Sequence, residues 1–114
     1  MTLPVKYPLI SLHTIIETHL KALDYTADFC GIDYFNIGTG NGYSVLEMVK
    51  AFGEAWGSDV KYKFAPRRPG DIAECYADSS KAREILGWEA KFDLKKMCED
   101  SARWQRMNPD GYPD

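Results

Sequence analysis

No regular element survives three glycines in five residues, so Gly38-Thr39-Gly40-Asn41-Gly42 divides this chain before any other feature is weighed. Ile32-Asp33-Tyr34-Phe35-Asn36-Ile37, just before it, is β-rich and mostly apolar, and predicts a strand that ends in a turn. Just after it, Ser44-Val45-Leu46-Glu47 has the spacing of a capping box, in which hydroxyl and carboxylate each satisfy an orphan helix amide. Val45, Met48, Val49, Phe52 and Trp56 then form an apolar stripe at helical spacing, and Gly57 stops it. The centre of the chain therefore reads as strand, glycine turn and capped helix.

The flanks follow the same logic. After an irregular start bearing Pro4 and Pro8, the recurrence of Leu12, Ile15, Ile16, Leu20 and Leu23 predicts an amphipathic helix over His13 to Tyr25, with a linker around Ala27 to Gly31. Val60-Lys61-Tyr62-Lys63-Phe64 alternates as a half-buried strand does, and Pro66 and Pro69 end regular structure around Arg67-Arg68. Asp78 is expected to open a helix carrying Ala82, Ile85 and Leu86 and ending near Gly87. A last helix is expected behind Asp93, with Leu94, Met97, Ala102 and Trp104 on one face, yielding to Asn108-Pro109 and a turn-like tail over 110–114. With 114 residues there is room for one core, and the expected class for the chain by itself is α+β.

Composition narrows the function classes. With 14 basic against 17 acidic residues the net charge is -3, so no electrostatic footprint for nucleic acid or an anionic membrane stands out. There is no apolar run of the length a membrane span needs, roughly 18 residues, and no basic-then-apolar leader at Met1 to Leu12; a cytoplasmic protein is expected. Cys30, Cys75 and Cys98 are widely spaced, and His13 and His19 fall on different faces of a helix, so free thiols and no metal site are expected.

Two segments could carry chemistry. The glycine run imitates a dinucleotide fingerprint, but the pattern G-x-G-x-x-G would need glycine where Tyr43 stands, and a tight strand-to-helix turn is the plainer reading. Ala65-Pro66-Arg67-Arg68-Pro69-Gly70-Asp71 is richer: prolines and a glycine stiffen the loop, guanidinium groups fork onto phosphate, and a carboxylate accepts from sugar hydroxyls. An anionic ligand bearing hydroxyls would suit it, while an exposed Arg–Asp pair of little consequence is the alternative. No nucleophile elbow, zinc-binding H-E-x-x-H, Walker loop or Tyr-x-x-x-Lys pair is present, so no catalytic residue is assigned and the residues by themselves suggest a binding module.

From Asn36-Ile37-Gly38-Thr39-Gly40 onward the chain resembles the C-terminal part of the UDP-glucose 4-epimerases, a group of the extended short-chain dehydrogenase/reductase family. The resemblance rests on that run, Ser44-Val45-Leu46, Phe64-Ala65-Pro66-Arg67-Arg68-Pro69-Gly70-Asp71, Ala77-Asp78 with Ser80-Lys81-Ala82, Leu86-Gly87-Trp88, and Asn108-Pro109-Asp110-Gly111-Tyr112-Pro113-Asp114. It implies a substrate-binding lobe of an α/β enzyme whose N-terminal Rossmann domain binds NAD and whose reaction interconverts UDP-glucose and UDP-galactose through oxidation at C4. It also implies roles: Arg68 on the diphosphate, Asp71 on the uridine ribose, Val45 against the nucleoside, and Cys75 where many members place a tyrosine lining the sugar pocket. The expected organisation is a divergent segment over 1–31 and an epimerase-like lobe over 32–114, with the Rossmann domain, the catalytic pair and the NAD site absent from this chain.

The departures carry weight too. Where the family has Arg-Asp-Tyr-Ile-His-Val, this chain has Tyr7-Pro8-Leu9-Ile10-Ser11-Leu12, so a second phosphate-binding arginine is missing, and the nearby Lys6 does not reproduce a forked contact. Without a Rossmann wall, the first helix and the Phe35 segment should leave apolar surface exposed, favouring self-association or pairing with another chain. Two functions follow: a lobe that holds the UDP part of a UDP-hexose and is inactive alone, or a non-catalytic interaction remnant that pairs with itself or with a separate Rossmann chain.

Overall fold

The computed structural model describes residues 6–112. The start of the irregular N-terminal stretch, with Pro4, and the final Pro113 and Asp114 of the expected tail lie outside the described residues. Six elements follow in order: β1 (Lys6–Pro8), α1 (Leu12–Thr26), β2 (Gly42–Ser44), α2 (Val45–Trp56), α3 (Ser80–Leu86) and α4 (Leu94–Met107).

Local chemistry accounts for the helix ends. Ser11 caps α1, its Oγ accepting from the Thr14 N–H at 3.1 Å. Both halves of the capping box on α2 are made: the Glu47 N–H donates to Ser44 Oγ at 3.2 Å, and the Ser44 N–H donates to Glu47 Oε2 at 2.7 Å. Gly57 closes α2 with φ 87°, a left-handed backbone that residues with a Cβ resist. Asp93 caps α4 through the Lys96 N–H at 2.9 Å. The cap of the third helix falls one residue later than its sequence suggests, at Ser79. Asp78 precedes the cap position, where its carboxylate accepts from the N–H and the hydroxyl of Ser80 and so shapes the approach turn instead of the cap.

The expected strands over 32–37 and 60–64 are not strands. Both segments are irregular in the described structure, because a strand exists only with a neighbour to share its ladder. The sheet that does form is unannounced in the sequence: β1 and β2 pair antiparallel, Lys6 opposite Ser44 and Pro8 opposite Gly42, with an isolated parallel bridge from Lys6 to Glu74 on the other edge.

Ile32–Ile37 is held by side chains instead. The Lys81 ammonium pairs with the Asp33 carboxylate, donates to Tyr34 O at 2.9 Å and lies 4.7 Å from the Phe35 ring centroid. The same segment leans on a small core of Ala82, Leu86 and Trp88, lined by Ile10, Tyr25, Phe35, Ile37 and Ala90. A second packing seam joins α2 to α4, where Cys98 and Ala102 are buried and the Arg106 guanidinium reaches the Ala55 and Trp56 carbonyls at the end of α2. Outside these seams lies an apolar ridge on α1: Leu12, Ile16, Leu20 and Leu23 are 73, 52, 58 and 65% exposed, with Ile32 and Tyr34 also bare.

Candidate functional site

The basic loop folds into one tight turn. The Asp71 N–H donates to Arg68 O at 3.2 Å across Pro69 and Gly70, and Gly70 sits at φ 87°, the arrangement of a type II turn with proline and glycine in their favoured places. The carboxylate of Asp71 accepts from the Arg68 backbone N–H and from its guanidinium, both at 3.3 Å. Arg67 secures the turn from outside, donating to Asp71 O at 2.8 Å. The Arg68 side chain is 74% exposed and that of Asp71 19%, so an exposed guanidinium stands beside a sheltered carboxylate.

Cys75 and Val45 are tied to β1 and not to this turn. Beyond Asp71 the chain runs alongside β1, the Lys6 N–H donating to Ala73 O at 3.0 Å and the Cys75 N–H to Lys6 O at 3.1 Å. Val45 is the first residue of α2, directly after β2 on the other edge of β1. Both side chains are exposed. The structure thus joins Arg68 to Asp71 directly and sets Cys75 and Val45 on opposite sides of β1. Neither of two open grooves, one between α2 and the 57–62 stretch and one among α1, α2 and α4, is lined by any of these four residues.

The pairing of Lys6 with Glu74 is what the sequence did not show in this neighbourhood. Their ion pair, 3.0 Å long, holds the Lys6 ammonium above the usual lysine range. A strand of three residues has too few positions to show a period, so nothing in the sequence pointed to it.

Packing and hydrogen bonds occupy the glycine run. Gly38 is needed for close approach: a Cβ there would stand 2.8 Å from the Ala77 Cβ, and Ser79 donates to Gly38 O at 3.2 Å. The amides a pyrophosphate would seek at the start of α2 are partly taken by Ser44 and Glu47, and the Ser44 N–H holds the Glu47 carboxyl below the usual carboxylate range. Among the described residues no group of three or more His, Cys, Asp or Glu could hold a metal ion, and no helix is long and apolar enough to cross a membrane.

The family model described as GDP-mannose 4,6 dehydratase matches residues 14–101. The UDP-glucose 4-epimerase of Bacillus subtilis is 57% identical over 98 residues, which is 86% of this chain and 29% of that protein. The crystal structure of UDP-glucose 4-epimerase from Bifidobacterium longum in complex with NAD+ and UDP superposes with a TM-score of 0.88 at 42% identity, over 96% of this chain and 32% of that one. The UDP-Glc/GlcNAc 4-epimerase of Campylobacter jejuni superposes with a TM-score of 0.81 at 34% identity, over 91% and 32%. The chain thus spans about a third of the length of the relatives it matches. On the family model, the identities and the superpositions together, it belongs to the extended short-chain dehydrogenase/reductase family, with the fold of a fragment of its Rossmann-type UDP-glucose 4-epimerases.

Proposed function

We propose that residues 32–114 form a lobe that holds the UDP part of a UDP-hexose, and that the chain alone does not catalyse. The observation that carries this reading is the Arg68–Asp71 turn, an exposed guanidinium and a sheltered carboxylate fixed side by side in a chain so close to the epimerases. Arg68 takes the diphosphate, Asp71 a ribose hydroxyl, and Val45 the apolar face of the nucleoside. The parent reaction, C4 epimerisation with NAD as hydride carrier, calls for a Rossmann half and a Tyr-x-x-x-Lys pair, and no such pair occurs in these residues.

Calorimetric titration with UDP-glucose tests this. Saturable heat is expected, with affinity at least about tenfold weaker in Arg68→Ala, the loss expected for one charge-assisted contact. A folded wild-type chain that gives no heat overturns the reading.

Cys75 sets the room at the sugar end. Its side chain is smaller than tyrosine, so the sugar pocket of the complete parent enzyme gains room for N-acetylated UDP-hexoses; the name of the Campylobacter jejuni relative, a UDP-Glc/GlcNAc 4-epimerase, includes such a sugar. Cys75→Tyr is expected to lower affinity for UDP-N-acetylglucosamine and spare UDP-glucose; equal affinities before and after would remove the assignment.

A second reading has its own observation, the bare α1 ridge, with Ile32 and Tyr34 also exposed. Here the chain is a non-catalytic partner that pairs with itself or with a separate Rossmann chain. Concentration-dependent association with no response to UDP favours it.

A further inference from the structure

One residue joins the segments that carry Val45 and Cys75. On one edge of β1, Lys6 stands opposite Ser44, the cap of the helix that Val45 begins; a Cβ on Gly42 would come within 3.0 Å of the Lys6 Cβ, so the two strands seat closely. On the other edge, the Lys6 backbone is bonded to Ala73 and Cys75 and bridges Glu74. Bridged residues share a face, which is why the Lys6 ammonium meets Glu74 Oε1 at 3.0 Å, while alternation turns Cys75 to the opposite face. The groups that bear on the Lys6 charge are Glu74, Glu47 and Tyr76, and Glu74 outweighs the others.

We propose that Lys6 is a positioning residue for the sugar end of the site: its ion pair with Glu74 holds the register in which the Cys75 N–H meets Lys6 O, and so sets where Cys75 stands relative to Val45. This rests on the reading of the chain as a UDP-hexose lobe. The pair is about half exposed, 43% at Lys6 and 47% at Glu74, so its effect is modest, about two- to fivefold in a local equilibrium.

Amide hydrogen exchange on the full chain, with Lys6→Met, Glu74→Gln, the double variant and Lys6→Arg, tests the clasp. Each single change is expected to speed exchange of the Cys75 amide two- to fivefold, the double change no more than either, and Lys6→Arg to restore protection, while the Ala102 amide on α4 stays as it was. An unchanged Cys75 amide in either single variant, or effects that add in the double, overturns the clasp. Titration then reads its consequence: Lys6→Met is expected to weaken UDP-glucose relative to UDP alone, and an equal loss for both ligands overturns the placement at the sugar end. A wild-type chain that binds neither ligand overturns the UDP-hexose reading, and with it the sugar-end role, whereas the exchange result still decides whether Lys6 and Glu74 act as a clasp.

Discussion

At Gly38 a single methyl group has nowhere to go. The Ala77 Cβ would stand 2.8 Å from it, and Ala77, in the segment that leads into α3, cannot swing aside as a long side chain would. Gly38→Ala is expected to cost about 1–3 kcal/mol, the range for overpacking, seen as a lower urea midpoint at unchanged slope. Three carboxyls show the same dependence on neighbours. Asp33 is held below the usual carboxylate range first by Lys81, Glu47 by the Ser44 amide, and Asp78 by the Ser80 hydroxyl. Depressed carboxyls contribute stability that is fully present above the unfolded pKa, near 4, and is lost as pH falls through the folded values. Thermal melting is therefore expected to drop below about pH 4, and less so in Asp33→Asn measured against its own value at pH 7. A melting temperature that holds level from pH 7 to pH 3 would contradict this.

Among the elements, α2 shows how far local rules reach. Ser44 is buried at 6% exposure, and its hydroxyl and amide both serve the capping box. Ser44→Ala is expected to lower stability by about 1 kcal/mol, measured by chemical denaturation, with the loss concentrated in α2 by amide exchange. Uniform loss across the chain would argue that β2, not the cap, was broken. Caps and glycine stops lie within a few residues of one another, so the beginnings of α1, α2 and α4 and the ends of α2 and α3 were readable to within a residue or two. Strands were not. Val60–Phe64 has the alternation of a strand, and Tyr62 and Phe64 do meet edge to face at 5.7 Å, yet Phe64 is 84% exposed and the segment pairs with nothing regular. Conversely, β1 and β2 form from sequence too short to show any period.

For the whole molecule, size is informative. The radius of gyration is 17.1 Å, against about 13 Å for a compact domain of this length. Its extents, 50 by 40 by 26 Å, describe a slab with a bare α1 ridge and not a sphere around one core. Such a ridge is expected to find a cover. Sedimentation of the wild-type chain is expected to show association that grows with concentration and is weakened when Ile16 and Leu20 are both changed to glutamate. A chain that stays monomeric at high concentration, or a variant that associates as before, would show that the ridge is not the contact.

The division between sequence and structure follows from range. Capping boxes, glycine stops, the stiff Arg67–Asp71 loop and the absence of a Tyr-x-x-x-Lys pair are all local, and the sequence by itself determined them together with the family. Tertiary structure decided the rest. That Gly38 serves Ala77, that Lys81 clamps the Ile32–Ile37 segment, and that Lys6 joins Ser44 to Glu74 all depend on residues 38 to 68 positions apart. Which distant neighbour arrives is settled by loop closure and burial over the whole chain, and no local pattern encodes it.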